Sequence, residues 1–165
     1  MIESRICFLC FLLLCTGAPA QRMPYPSADG VDIRPGNSFI FCRVQYSSQG
    51  RGDRWGGRRG WGGWATDYPE SDINFSLRLS QLTTLDVART ADGRLAHAII
   101  RLDDPALFQY PFIYMLEVGG LSFSPAERQG LRTYLRRGGF LLVDDFWGDA
   151  AWENWKYEIE QVLPA

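Results

Sequence analysis

The stretch GGFLLVDDFWGD, Gly138–Asp149, decides the fold. Two glycines open it, the uninterrupted apolar run Phe140–Val143 follows, and two adjacent aspartates, Asp144 and Asp145, close it. A short run that is apolar at every position suits a strand covered on both faces, the habit of parallel sheets. Just upstream, Ser124-Pro125-Ala126-Glu127 has the form of a capping box with proline at the first helical position. Leu131, Tyr134 and Leu135 make the buried stripe of the helix it opens. Arg136 and Arg137 fall in the last turn, where cations suit the helix dipole, and Gly138 is placed as the left-handed residue that ends it. Helix, glycine turn and apolar strand form one αβ step.

Working outward, Phe39–Val44 is aromatic and β-branched enough for a first strand. Asp72 is placed to cap a helix over Ile73–Leu82 with Phe75, Leu79 and Leu82 on one face. Leu85–Ala88 and Ala96–Leu102 read as a second and a third strand. Asp103-Asp104-Pro105 turns the chain, Ala106–Gln109 makes a short helical turn, and Phe112–Leu116 is again apolar throughout. Asp149 is positioned to cap a last helix with Trp152, Trp155, Ile159 and Val162 on one stripe. Strands alternating with helices predict a three-layer α/β sandwich around a mainly parallel sheet. The 165 residues suffice for one such domain but not comfortably for two.

The first 20 residues stand apart. Arg5 precedes the apolar run Ile6–Cys15, which is too short to span a bilayer, and Ala18-Pro19-Ala20 has the small-x-small form of a cleavage site. This predicts a signal peptide over residues 1–20, an exported (periplasmic or extracellular) product, and no stable membrane span after cleavage. Cys7, Cys10 and Cys15 leave with it, so the mature chain keeps only Cys42 and no internal disulfide. Residues 21–37, rich in proline, glycine and aspartate, read as a linker before a single domain at 38–165.

Ser47–Asp72 holds Gly50, Gly52, Gly56, Gly57, Gly60, Gly62 and Gly63 among arginines and tryptophans, and reads as a long loop that lines or covers a pocket. Net charge is −2, and export removes most nucleic acid, so no nucleic-acid partner is expected. In an open parallel sheet, ligands bind beyond the carboxyl ends of the strands. Asp144 and Asp145 lie at such an end. Strand alternation sends neighbours to opposite faces, so one is expected to face the crevice while the other fixes the turn. Phe146 and Trp147 follow them, and Trp64, Asp67, Tyr68 and Asp72 approach from the first crossover. Convergent oxygens from Asp67, Asp72, Asp144 and Asp145 would suit Mg²⁺ or Ca²⁺. His97 is the single histidine and Cys42 sits inside an apparent strand, so no nucleophile–histidine–acid set is assembled, and GxSxG, Walker A, HExxH and paired CxxC motifs are absent.

The motif blocks together carry a resemblance. They run Trp64-x-x-Asp67-Tyr68-Pro69-x-x-Asp72, the helix end at Leu79–Thr83, and Phe108-x-Tyr110-Pro111-Phe112-x-Tyr114. Leu121-x-Phe123-Ser124, Leu131-Arg132-x-Tyr134-Leu135 and Gly138–Asp145 complete the set. In this order, over about residues 38–164, they resemble the bacterial family called domain of unknown function 4159. The resemblance implies a class I glutamine amidotransferase-like, flavodoxin-like sandwich. It also implies that the family's usual C-terminal part, beyond Leu163-Pro164, is missing here. Amidotransferases of that fold carry a nucleophilic cysteine at a strand-to-helix elbow followed by a histidine. Here Cys42 lies within the first strand and not at such an elbow, and no histidine follows His97, which argues against that activity.

These readings converge on an exported, non-catalytic domain that binds a small molecule or a protein partner in the cell envelope, with no cofactor assigned. The candidate ligand-binding residues are Asp144, Asp145, Phe146, Trp147, Trp64, Asp67, Tyr68 and Asp72. A metal-dependent hydrolase built on Asp67, Asp72, Asp144 and Asp145, and a structural scaffold exposing Trp147, Trp152 and Trp155, are the alternatives.

Overall fold

The computed structural model describes residues 38–48 and 63–164. The expected signal peptide, the linker and most of the glycine-rich loop lie outside the described residues. The sheet has four parallel strands: β1 (Phe41–Val44), β2 (His97–Ile100), β3 (Phe112–Leu116) and β4 (Phe140–Asp144). Their order is β2-β1-β3-β4. Three helices connect or follow them: α1 (Glu70–Leu82), α2 (Pro125–Arg136) and α3 (Gly148–Val162). The expected α/β sandwich with a parallel sheet is therefore the architecture.

Alternation along the strands sorts the side chains into two cores. Cys42, Val44, Ala98, Ile100, Ile113 and Met115 pack with Leu131 and Tyr134 of α2 and Trp155 and Val162 of α3. On the other face Phe41, Tyr114 and Leu116 form a smaller cluster with Phe39, Phe112 and Leu142, and Phe75 of α1 stacks against it. So α1 lies on one face and α2 with α3 on the other. From β1 the chain winds outward to β2, and from β3 it winds the opposite way to β4. The two halves separate at the carboxyl ends of β1 and β3, the place where such sheets open a crevice.

The helix signals around α2 act as read. Ser124 Oγ accepts from the Glu127 N–H, Glu127 Oε2 accepts from the Ser124 N–H at 2.8 Å, and Gly138 has φ +87°. Glu127 is fully buried, and its second oxygen takes the Ser47 N–H at 2.9 Å, so the cap also ties α2 to the chain leaving β1.

Four expectations are corrected. Leu85–Ala88 is not a strand: Val87 makes one isolated bridge to Phe39, and the expected third strand is β2, second along the chain and at the edge of the sheet. Helix α1 begins at Glu70 after Pro69, so Asp72 lies inside the helix instead of capping it. The inner face of α1 is Asp72 and Ser76, not the apolar stripe; Phe75 sits at its margin and Leu82 is 80% exposed. Helix α3 begins at Gly148 after Trp147, with Asp149 in its first turn and no side-chain cap.

Candidate functional site

The polar inner face of α1 exists because of Arg43. This residue occupies the middle of β1, is fully buried, and points to the α1 side with Tyr114 beside it in register. An isolated buried guanidinium is strongly unfavourable, so its five N–H donors must all find acceptors. They do. Nε donates to both oxygens of Asp72, at 3.0 and 3.2 Å, and Nη2 donates to Asp72 Oδ1 and Ser71 Oγ, both at 2.5 Å. Nη1 donates to the carbonyls of Trp64 (2.8 Å) and Thr66 (3.1 Å). The guanidinium also lies against the rings of Tyr68 and Tyr114, at 5.8 and 5.3 Å from their centroids. One side chain therefore fastens residues 64–72 onto the sheet beside the crevice.

At the crevice mouth three residues share a rare backbone state. Asp67 (φ +54°), Glu117 (φ +54°) and Asp145 (φ +56°) are left-handed, and they are all the described non-glycine residues that are so. Left-handed backbone is uncommon outside glycine and persists where the surroundings over-determine it. Here the surroundings are visible. Asp67 is held by the Arg43-anchored loop, and its carbonyl accepts from the Ser71 N–H and Oγ–H. The carbonyls of Leu116 and Glu117 both accept from the Tyr46 hydroxyl at 2.8 Å, and the Glu117 N–H reaches the Asp144 carbonyl at 3.2 Å. The Asp145 N–H is taken by Asp144 Oδ1 at 2.8 Å.

The three carboxylates come from the segment before α1 and from the ends of β3 and β4, and they feel one another. Partial burial pushes the Glu117 carboxyl above its ordinary value, and the negative charges of Asp145 and Asp67 push it further the same way. A carboxyl raised in the folded state stabilises the fold only when protonated. That contribution is complete below the unfolded-state pKa and is lost as pH rises from there through the folded-state value. Glu117→Gln should therefore raise the melting midpoint at neutral pH and leave it unchanged in acid below the ordinary glutamate range. Melting curves across pH check this; an equal shift at every pH would show that the charge is not the cause.

The eight residues read from the sequence fall in three places. Asp67, Asp145 and Phe146 stand at the mouth, with Trp147 beside them and 77% exposed. Phe146 packs on the larger core and stacks on Trp152 with centroids 5.8 Å apart. Asp144 lies on the α1 face of the sheet, where it accepts from the Tyr114 hydroxyl at 3.2 Å and holds the Asp145 N–H. Trp64, Tyr68 and Asp72 belong to the anchor. Trp64 gives Arg43 its carbonyl and packs its ring on the core, Asp72 is fully buried against Arg43, and the Tyr68 hydroxyl pairs with His97 Nε2 at 3.1 Å.

Glu117 was not singled out by sequence reasoning, although it follows the apolar run Phe112–Leu116 as Asp145 follows the strand ending at Asp144. As candidate metal ligands, Asp67, Asp72, Asp144 and Asp145 do not form one set. Asp72 is committed to Arg43, and among the described residues no group of three or more His, Cys, Asp or Glu is arranged to hold a metal ion. Cys42 is fully buried on the α2 side of the sheet, and burial pushes its thiol well up, away from the thiolate a nucleophile needs. No helix among the described residues is long and apolar enough to cross a membrane.

No curated protein matches the chain. A family model described as Domain of unknown function (DUF4159) matches residues 41–165. That match takes in all four strands, all three helices, the Arg43 anchor and the three left-handed acids, and the chain belongs to this family.

Proposed function

We propose that this chain is an exported, non-catalytic binding domain of the cell envelope, and that its crevice takes an organic cation between Asp67, Glu117 and Asp145. One observation carries the reading: three acidic residues, each in a left-handed backbone state, come from separate segments to the switch point of the sheet. Partial burial first, and then the like charges of Asp145 and Asp67, disfavour the ionised Glu117 carboxyl, and a bound cation would offset both. The exposed indole of Trp147 beside them offers a face on which an organic cation stacks. Export rests on the apolar run Ile6–Cys15 followed by Ala18-Pro19-Ala20.

The test is a thermal-shift titration of the purified protein with spermidine, against Mg²⁺ and NaCl of equal ionic strength as controls. Ligand at about a hundred times its dissociation constant stabilises the folded state by about 2.7 kcal/mol. Spermidine should raise the midpoint beyond both controls. Glu117→Gln combined with Asp145→Asn should abolish the gain. A midpoint that spermidine moves no further than the controls do, or a gain that survives in the double variant, would overturn the assignment of the crevice.

A further inference from the structure

We propose that a second site, at the amino ends of β3 and β4, binds a small aromatic carboxylate, its ring among Tyr110, Pro111 and Tyr134 and its carboxylate on Arg137. The inference is independent of what the crevice binds, because the crevice lies at the opposite ends of the same strands.

A cavity of about 280 Å³ opens between the turn that leads into β3 and the turn that leads from α2 into β4. Phe108, Tyr110, Pro111 and Tyr134 supply rings to its walls, and of the residues that line it Arg137 alone is charged. Small-molecule sites have this make-up, aromatic walls with a few polar groups that fix orientation. Drug-sized sites run from about 300 to 1,000 Å³, so this one suits a single ring. The two turns are tied together. The Phe140 N–H donates to the Pro111 carbonyl at 2.9 Å, and the Tyr134 hydroxyl donates to the Phe140 carbonyl at 3.1 Å. Gly139 lets the turn lie directly on the Tyr134 ring, since a Cβ there would stand 2.3 Å from it. A Cβ on Gly138, by contrast, would meet nothing within 4 Å, so the space beside it is open.

Arg137 says what the cavity takes. Its guanidinium stands over the Phe108 ring, 4.5 Å from the centroid. Stacking occupies the flat face of a guanidinium and leaves its edge, the fork of N–H donors, for a carboxylate. The exposed Arg94 and Arg101 are each paired with an aspartate, whereas Arg137 has no carboxylate within ion-pair distance among the described residues. A bare anion would not suffice. The cavity adjoins the carbonyl end of α2, where the helix dipole disfavours negative charge. Contact of a ring with the aromatic walls supplies the remaining attraction, so ring and carboxylate are both required.

Amide NMR spectra of the isotope-labelled protein, titrated with benzoate, should show saturable shifts at Phe108, Gly138 and Gly139, with a dissociation constant of about 1 mM. The amides of Glu117 and Asp145, at the crevice, should stay still. Benzamide keeps the ring without the charge, and acetate keeps the charge without the ring. Each should bind about tenfold more weakly than benzoate, or not at all. Arg137→Gln should weaken benzoate by about the same factor and keep a cooperative melt, because the side chain is exposed. Arg137→Lys, which keeps the charge and loses the fork, should fall between. Benzoate that leaves all three amides unmoved at concentrations far above that constant overturns the proposal. So does acetate or benzamide that binds as tightly as benzoate, or a folded Arg137→Gln that binds benzoate as well as the original.

Discussion

Asp72→Ala is expected to lower the unfolding free energy by about 3–5 kcal/mol, the cost of removing one partner from a buried ion pair. Domains of this size commonly have only about 5–15 kcal/mol in total, so the loss is a large share. The reason lies in the other partner. Arg43 is fully buried in the second strand of the sheet order, and three of its hydrogen bonds go to Asp72. Without the carboxylate, a full charge is left in the interior with two carbonyls and one hydroxyl for company.

The double variant Arg43→Met with Asp72→Leu separates charge burial from loop fastening. Replacing both ions with apolar groups removes the uncompensated charge, so it should be less damaging than the single change. It should not return to the original stability, because the carbonyls of Trp64 and Thr66 then lose their donor, at about 1–3 kcal/mol for each that stays buried without another. Urea unfolding of the three proteins checks the order: original, then double, then single. A loss below about 1 kcal/mol in Asp72→Ala, within the range of exposed pairs, would mean that water reaches the guanidinium. The change should also reach the crevice, since Asp67 stands on the loop that Arg43 fastens.

This anchor also shows where sequence reasoning stopped. The strands β3 and β4 and helix α2 were legible because each carries a strong local signal: runs apolar at every position, a reciprocal cap, a glycine at the left-handed position. Helix α1 was misread because amphipathic periodicity assumes that the inner face is apolar. Its inner face is polar, and the cause is an arginine 29 positions away in another element. A trace of the cause was present: Arg43 sits between Cys42 and Val44, where a buried strand admits a charge only with a partner. What one sequence does not say is which carboxylate answers it. For the pair Asp144-Asp145, alternation is a guide only as far as Asp144, the last residue of β4, because Asp145 is left-handed at φ +56° and leaves the strand pattern. The gathering of Asp67, Glu117 and Asp145 depends on strand order, which no local pattern contains.

Gly130→Ala sets two effects of opposite sign against each other, and their magnitudes decide. Gly130 lies midway along α2, where alanine is intrinsically better than glycine by about 1 kcal/mol. The fold overrides that preference. A Cβ at this position would stand 1.8 Å from the carbonyl oxygen of Leu102 and 2.9 Å from its carbon. Both are backbone atoms, so no side chain can swing aside; either α2 or the turn after β2 must move. The turn is fixed by the fully packed Leu102 and by the Asp104 N–H bonded to the Arg101 carbonyl. The helix is fixed by Leu131, Tyr134 and the doubly bonded Glu127. Overpacking of a tight core typically costs about 1–3 kcal/mol and sometimes more, and a contact this short with backbone belongs at the upper end. The net result should be a loss of at least about 2 kcal/mol despite the gain in helix propensity. Gly120→Ala is the control: its Cβ would meet nothing within 4 Å, and its effect should stay within about 0.5 kcal/mol. Paired urea titrations read both. If Gly130→Ala were neutral or stabilising, α2 would not lie against the end of β2 as closely as described, and the packing that sets the α2 side of the sheet would have to be redrawn.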